Sequence, residues 1–239
     1  MRLQKLLALM TKLSRREAER EIDSGHVRVN GKVVTKQGVV VDPTSDRVEI
    51  FGKPISKLKP VYIYIAYYKP KGLLVTSRDP YERATIWIDL KKYEGHVSYV
   101  GRLDRNSEGL LLLTNDGDLA NRLTHPKHDI YKEYKVEIDG VVNDDQIRRL
   151  RNGVELEDGM TLPCKVDLLV TNKSKTILSI SIREGRKRQI RRMCEAIGHQ
   201  VTRLKRVAIG PIKLGSLKPR EHRFLNREEI KKIKGAYRV

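Results

Sequence analysis

Four charged side chains that could take part in catalysis lie within one nine-residue segment, 101–109, which reads GRLDRNSEG. The segment separates two apolar stretches predicted to be strands, and catalytic residues concentrate on loops that rigid strands hold in place. The residues alone leave two interpretations open. In the first, Asp104 is a catalytic carboxylate. In the second, Asp104 caps a turn and Arg102 is an ordinary surface cation.

A second segment, 183–192, contains six basic residues in ten. Arg188, Arg191 and Arg192 have the i, i+3, i+4 spacing that brings side chains to one face of a helix, where they could meet phosphate or a buried carboxylate. The alternative is a solvated basic start of a helix or a passive phosphate-binding patch. The pattern favours a binding role.

Tyr134 belongs to a predicted strand in which it shares one face with Val136 and Ile138. The chain has 10 tyrosines against 2 phenylalanines and 1 tryptophan, and tyrosine can stack on nucleic-acid bases. Because tyrosine also fills protein cores, a half-buried structural tyrosine is the alternative.

The charge balance narrows the class of partner. The 239 residues include 49 Lys and Arg against 30 Asp and Glu, a formal net charge of +19 at pH 7. Such a surplus attracts a polyanion such as RNA or DNA through its long-range field and through counterion release. No apolar stretch reaches the roughly 18 residues of a membrane span, and residues 1–20 do not resemble a secretory signal. We therefore expect a cytoplasmic protein that binds nucleic acid.

Metal and disulfide chemistry are not indicated by the sequence. The two cysteines, Cys164 and Cys194, are too few for a disulfide framework and lack the clustered spacing of zinc ligands. The one close histidine pair, His125 and His128, has no cysteine or carboxylate cluster near it in the sequence. We expect no metal.

The elements that would position these residues fall into two domains. Residues 1–52 are predicted to form a compact αα-β unit, because Ser14 and Glu17 have the spacing of a capping box at a helix start and Asn30-Gly31 predicts a tight hairpin. Residues 53–60, with two prolines and three lysines, are the predicted linker.

Residues 61–239 are the second predicted domain. Strands interrupted by few helices, without strict βαβ alternation, indicate an α+β fold around a mostly antiparallel sheet. The predicted helices are 119–123, 143–153, 188–197 and 226–234. The predicted strands are 61–67, 73–76, 98–100, 110–114, 132–138, 165–170, 176–183 and 201–209.

Several of these segments resemble the RsuA/RluB family of ribosomal RNA pseudouridine synthases. In the second domain they are GRLDRNSEGLLLLTNDG at 101–117, KEYKV at 132–136 and EGRKRQIRRM at 184–193. The first domain, with SRREAE at 14–19 and GHVRVNGKVV at 25–34, resembles the S4 RNA-binding module that precedes the catalytic domain in this family. The matches together cover nearly the whole chain.

The sequence departs from the family pattern at two places. Tyr67-Tyr68-Lys69-Pro70 stands where the family usually has Asn-Lys-Pro, and Thr11 stands where glycine is usual after the first helix. The first variant, together with GVELEDG at 153–159, is closer to the RluB branch, which modifies large-subunit ribosomal RNA.

The resemblance implies an enzyme that isomerises uridine to pseudouridine without a metal or a cofactor. It implies that Asp104 is the essential carboxylate, either a nucleophile at the sugar or the base that removes the C2′ proton. Tyr134 would stack under the target base and assist proton transfer at C5, and Arg191 would hold the geometry of the carboxylate. Because the target base must leave its stack, Arg102 would fill the vacated space or grip the adjacent phosphate. Gly101 and Gly109 would allow close backbone approach.

The implied partner is ribosomal RNA, free or within an assembly intermediate, and the implied enzyme is monomeric. The competing interpretation is a non-catalytic S4-containing RNA-binding or ribosome-assembly protein, which would not need Asp104, Tyr134 and Arg191 together. A DNA-binding regulator fits less well because no dimerisation heptad is present. The residues expected to contact RNA are Arg102, Arg15, Arg16, Lys5, Arg28, Arg186, Arg188 and Arg192.

Overall fold

The computed structural model describes residues 1–11, 13–55 and 61–235, and the chain divides into two compact units. The first unit comprises Met1–Ile63 and Lys92–Ser98, and the second comprises Tyr64–Lys91 and Tyr99–Val239. Most of the predicted linker, residues 56–60, lies outside the described residues.

The first unit packs two helices against a four-stranded antiparallel sheet with the order β2-β1-β3-β4. Leu3, Leu7 and Ile22 from the helices share a buried core with Val27 and Val48 from the strands. Its elements are α1 (Leu3–Met10), α2 (Arg15–Asp23), β1 (Val27–Val29), β2 (Lys32–Val34), β3 (Val48–Ile50) and β4 (Lys53–Pro54).

Local chemistry explains where these elements begin and turn. The Glu17 amide donates to Ser14 Oγ over 3.2 Å and the Ser14 amide donates to Glu17 Oε2 over 2.7 Å, which confirms the capping box of α2. Asn30 and Gly31 have φ angles of 51° and 81°, as a tight hairpin turn requires at both positions. Lys53-Pro54, assigned to the linker from the sequence, instead pairs with β3 at the sheet edge, where a proline is tolerated.

The second unit is built on a nine-stranded sheet flanked by helices. Two single turns of 3₁₀ helix, Lys91–Tyr93 and Pro126–His128, also occur along this part of the chain. From Tyr64 onward the elements are β5 (Tyr64–Lys69), α3 (Trp87–Leu90), β6 (Ser98–Val100), β7 (Glu108–Thr114), α4 (Gly117–Thr124), β8 (Lys132–Asp139), α5 (Asp144–Asn152), β9 (Lys165–Thr171), β10 (Lys175–Ile182), α6 (Gln189–Ala196), β11 (Val201–Ile209), β12 (Ile212–Lys213), β13 (His222–Phe224) and α7 (Arg227–Gly235).

The strand order is β13-β5-β7-β11-β8-β10-β9, with β6 beside β7 and β12 beside β11. The neighbours β7 and β11 run parallel, whereas β5 with β7, β8 with β11, and β10 with β8 and β9 are antiparallel. The α+β expectation of a mostly antiparallel sheet is therefore confirmed. The prediction of a strand at 73–76 is wrong, because Leu74 forms only an isolated bridge, with Thr85.

The two faces of β5 have different surroundings. Tyr64, Ala66 and Tyr68 point into a hydrophobic core that α4 and α7 complete. Since successive side chains of a strand point to opposite faces, Tyr67 and Lys69 lie on the other face. Lys69 is nevertheless fully buried there.

Close approach between β7 and β11 depends on Gly109. Its φ angle is 105°, and a Cβ atom at this position would lie 2.2 Å from the main-chain oxygen of Arg206. The expected close backbone approach is thus found at Gly109, where the neighbour is the adjacent strand. At Gly101 the nearest atom to a Cβ, Thr124 Cγ2, would lie at an ordinary 3.6 Å.

We expect Gly109→Ala to destabilise the second unit by about 3 kcal/mol or more, because it adds a backbone clash to an unfavourable positive φ. Gly72→Ala is the matched control, since Gly72 has a φ of 94° with open space around it. It should cost about 1 kcal/mol. Urea unfolding followed by the fluorescence of Trp87, the single tryptophan, reports on this unit. Equal losses in the two variants would contradict the role of the close contact.

Candidate active site

A cleft of about 790 Å³ lies in the second unit. Its walls come from the turn after β6, from β8, from the segment that leads into α6, and from β11. Asp104 and Tyr134, which are far apart in the sequence, both line it, as do Arg102, Arg186 and Arg188. This volume is in the range that binds small organic ligands.

Asp104 begins a tight turn. The Ser107 amide donates to the main-chain oxygen of Asp104 over 3.0 Å, so the turn is closed through the backbone rather than through the carboxylate. The Asp104 side chain is exposed and belongs to the cleft lining. Asp104 therefore starts a turn through its main chain, and its carboxylate is available to a ligand.

Buried cations from three elements hold carbonyl groups of this turn and of the residues just before it. Lys69 Nζ, at the end of β5, donates to the carbonyl oxygens of Arg105 and Ser107 over 3.4 and 2.7 Å. Arg191 Nη2, on α6, donates to the carbonyl of Asn106 over 3.1 Å. Arg206, on β11, donates to the carbonyl of Arg102 over 3.4 Å. We call these three residues the cation clamp.

Arg191 lies behind the wall of the cleft. It is 8% exposed, and its other hydrogen bond goes from Nη1 to the carbonyl of Val201 over 2.9 Å. Burial lowers the pKa of its guanidinium, neighbouring Arg188 lowers it further, and the Asp104 carboxylate opposes this shift. Arg191 is thus close enough to Asp104 to interact electrostatically, while its hydrogen bonds hold the backbone.

Tyr134 lies on the floor of the cleft in the middle of the sheet. It pairs with Arg206 on β11 and with Ile180 on β10, and it is 8% exposed. Its ring is packed in the sheet, as expected of a structural tyrosine, and it still borders the cleft.

Two arginines expected to contact RNA are already engaged by the protein. Arg186 donates to the carbonyls of Asp158, Gly159 and Met160 over 3.1, 2.7 and 2.6 Å. Arg192 makes a bidentate ion pair with Asp158, with distances of 2.8 and 3.0 Å. These two guanidinium groups fix the 158–160 loop, which the basic pattern of the sequence does not reveal.

Arg188 is more exposed than Arg186 and Arg192. It is exposed, lines the cleft, and has a left-handed backbone with a φ of 50° at the N-cap of α6. Residues other than glycine in this conformation are uncommon and concentrate at functional sites. Arg102 is likewise exposed and lines the cleft. Both side chains can reach a ligand there.

The remaining basic residues that we expected to contact RNA belong to the first unit. Arg15 and Arg16 are exposed at the start of α2, and Arg28 is exposed on β1. Lys5 lies on α1 and is partly buried.

Three residues at or beside the cleft were not singled out from the sequence. Besides Lys69 and Arg206, Lys132 lines the cleft two residues before Tyr134, and burial, then the neighbouring Arg206, lowers its pKa. Of these three, only Lys69 could have been noticed in the sequence, because it is a charged residue at the end of the otherwise apolar strand YIAYYK. Across the described ranges, no group of three or more His, Cys, Asp or Glu side chains could hold a metal ion, and no helix could span a membrane.

Comparison with known families identifies the family of proteins to which this chain belongs. The family model for RNA pseudouridylate synthase matches residues 63–196, more than half of the chain, and the model for the S4 domain matches residues 1–48. The chain belongs to the RNA pseudouridylate synthase family. The resemblance identified from the sequence is confirmed, and RNA is the substrate of this enzyme.

Relatives of the enzyme match it along nearly its whole length. The ribosomal large subunit pseudouridine synthase B of Bacillus subtilis is 42% identical over 98% of this chain and 95% of its own. An uncharacterized RNA pseudouridine synthase of Aquifex aeolicus is 43% identical over 97% of this chain and 93% of its own. A crystal structure of a pseudouridylate synthase superposes with a TM-score of 0.69 at 30% identity, covering 98% of this chain and 99% of that one.

We expect Arg188→Ala to weaken RNA binding and Arg186→Ala to lower the stability of the fold. Without the cleft-facing Arg188 cation, RNA affinity should fall and the slope of log affinity against log salt should decrease by about one. Arg186→Ala should leave that slope unchanged and lower the free energy of unfolding by about 1 kcal/mol, because three carbonyls of the 158–160 loop lose their charged donor. Salt-dependent fluorescence anisotropy and urea unfolding separate the two effects. Equal changes in salt slope would contradict the assignment.

Proposed function

We propose that this enzyme isomerises uridine in large-subunit ribosomal RNA and that Asp104 is its essential carboxylate. The proposal is supported above all by the exposed Asp104 side chain on a clamped turn, in the same cleft as Tyr134. The RNA class is supported by the similarity to the large-subunit enzyme of Bacillus subtilis, which extends over 98% of this chain.

The proposed reaction begins when the target uridine leaves its stack and enters the cleft. Extrusion costs a few kcal/mol, which contacts in the cleft must offset. Arg102 lies two residues before Asp104 and is exposed at the cleft, so it can occupy the vacated space or bind the adjacent phosphate. Arg188 supplies a second cation for the backbone of the target strand.

Two chemical routes start from Asp104. In the first, the carboxylate attacks C1′ while the N1–C1′ bond breaks and uracil leaves as an anion; after rotation, C5 attacks C1′ and releases the carboxylate. In the second, the carboxylate removes the C2′ proton as the N1–C1′ bond breaks, and that proton returns to C2′ when C5 attaches. Both routes end with loss of the C5 proton and protonation of N1, so atoms and electrons balance without an oxidant or a reductant.

The roles proposed for the other two catalytic-site residues are those that the family resemblance implies, and their positions support them. Tyr134, packed on the cleft floor, stacks under the target base and assists the transfer of the C5 proton. Arg191 holds Asp104 through the backbone carbonyl of Asn106 and through its charge. A preorganised carboxylate loses little energy to reorganisation during the reaction.

The first unit, an S4 domain, would bind the RNA backbone through Lys5, Arg15, Arg16 and Arg28, while the cleft carries out the chemistry. We propose that the enzyme acts as a monomer in the cytoplasm, on ribosomal RNA free or within an assembly intermediate. Arg186 and Arg192 would support this surface indirectly, through the 158–160 loop that they hold.

Asp104→Asn should reduce pseudouridine formation at least about 100-fold while RNA affinity stays within about twofold, because the change removes a reacting group and not a phosphate contact. Pseudouridine is mapped by carbodiimide labelling and primer extension on unmodified large- and small-subunit ribosomal RNA. Asp167→Asn, at an exposed position on β9, is the matched control and should keep full activity.

The outcomes of this experiment are distinct. A stop on large-subunit RNA that vanishes in Asp104→Asn supports both parts of the proposal. A stop on small-subunit RNA alone overturns the assignment of RNA class, and residual turnover in Asp104→Asn makes another residue the essential catalyst. If the wild-type protein binds RNA and modifies neither RNA nor an assembly particle, the non-catalytic RNA-binding role replaces the enzyme.

Deuterium at C2′ of the target uridine distinguishes the two routes. If Asp104 removes the C2′ proton, the single-turnover rate should fall several-fold on the deuterated RNA, since that bond breaks in the reaction. If Asp104 attacks C1′, the rate should change little. RNA deuterated at C3′ is the control, because neither route breaks that bond.

A further inference from the structure

Lys69 is an unusual residue in the core of the second unit. It is the last residue of β5, it is fully buried, and it lies on the face opposite the core that contains Tyr64, Ala66 and Tyr68. Lysine is almost never fully buried without partners, because removing its charge from water is costly. The contacts of Lys69 must therefore compensate for that cost.

The Lys69 ammonium donates to three carbonyl oxygens. They belong to Pro70, Arg105 and Ser107, at distances of 2.9, 3.4 and 2.7 Å from Nζ. A protonated lysine carries three N–H donors and no acceptor, so the number of donors equals the number of carbonyls. Each of these carbonyls has one ammonium hydrogen available, and the Arg105 carbonyl also accepts from the Gly72 amide over 2.8 Å.

Two of these carbonyls belong to the turn that carries the proposed catalytic carboxylate. Arg105 follows Asp104 directly, and the Ser107 amide closes the turn onto the Asp104 carbonyl. The third carbonyl, that of Pro70, belongs to the chain that leaves β5. Lys69 therefore ties the end of β5 to two carbonyls of the turn that begins at Asp104.

We propose that Lys69 is a positioning residue for Asp104: its ammonium fixes the 104–107 turn from beneath and so sets the place of the carboxylate in the cleft. This inference rests on the proposed role of Asp104. Arg191 and Arg206 hold neighbouring carbonyls, and Lys69 is the member of the cation clamp that can lose its charge near physiological pH.

The burial of Lys69 and the charges around it determine the pH at which its ammonium loses a proton. Burial lowers its pKa from the usual value to about 8, the Asp104 and Glu108 carboxylates oppose this shift, and the Arg206 guanidinium adds to it. Below that pH the ammonium donates to all three carbonyls. Above it, the neutral amine has two N–H donors and a lone pair, so it no longer donates to all three carbonyls and its hold on the turn weakens.

The first test uses the full-length wild-type enzyme and an unmodified large-subunit ribosomal RNA transcript. The single-turnover rate of pseudouridine formation should be level from pH 6 to 7 and fall at least fivefold by pH 9, with a midpoint near 8, at saturating enzyme. RNA affinity measured at each pH shows whether binding contributes to the fall. A rate that stays level to pH 9 would overturn the proposal.

Variants identify the titrating group. Lys69→Arg keeps a permanent charge and should remove the alkaline fall, whereas Lys69→Met should be at least tenfold slower at pH 7 and equally slow at pH 9. Lys71→Met removes a charge from the exposed neighbouring position and should keep the wild-type profile. Retention of the alkaline fall in Lys69→Met would refute the assignment, and a purely structural role would lower the rate without changing the shape of the profile.

A readout without catalysis separates this inference from the proposed function. Hydrogen exchange of the peptide that spans 102–108, measured by mass spectrometry at pH 7, should be at least tenfold faster in Lys69→Met than in the wild type or in Lys71→Met. Circular dichroism establishes that each variant is folded. Unchanged exchange overturns the positioning role even if the enzyme is active; absence of pseudouridine formation by the wild type, with faster exchange in Lys69→Met, overturns the proposed function alone.

Discussion

The active cleft depends on the hydrogen-bond donors that the protein supplies to the carbonyl groups of one turn. A turn that presents Asp104 outward leaves its main-chain oxygens facing the interior, where each needs a donor. Lys69, Arg191 and the Gly72 amide supply these donors, and Arg206 holds the carbonyl of Arg102 just before the turn. Since ionised donors make stronger hydrogen bonds than neutral ones, the backbone is held more firmly than a loop usually is. The carboxylate can therefore be exposed to a ligand and still have a defined position.

The net charge of +19 serves two purposes that composition does not distinguish. Some cations, such as Arg188 and Arg15, are exposed and can meet phosphate. Others, such as Arg186 and Arg192, donate within the protein and hold the 158–160 loop. Charge density in the sequence is a good indicator of the class of partner and a poor indicator of which side chains touch it, because carbonyls and carboxylates of the protein itself compete with phosphate for the same donors.

Much of the fold follows from local patterns. The capping box at Ser14 and the strand at 201–209 were predictable because their signals lie within a few neighbouring residues. The exposed strand β13 has no periodic apolar pattern, and the apolar stretch 73–76 is held by a single bridge to a loop. At the site, motifs indicate Asp104 and Tyr134 directly. The role of Lys69 depends on carbonyl groups almost forty residues away, so only the folded chain reveals it.

Gly109 also has a consequence for the order in which the enzyme can assemble during synthesis. It allows β7 to lie against β11, and the clamp contacts across this region join residues 85 to 104 positions apart in the chain. Chains emerge from the ribosome from the N-terminus, so the S4 domain can fold while the strand that supplies Arg206 is still unsynthesised. Long-range pairing is also slow to form because it must close a large loop. A nascent chain would thus fold its RNA-binding domain before the turn that carries Asp104 is fixed.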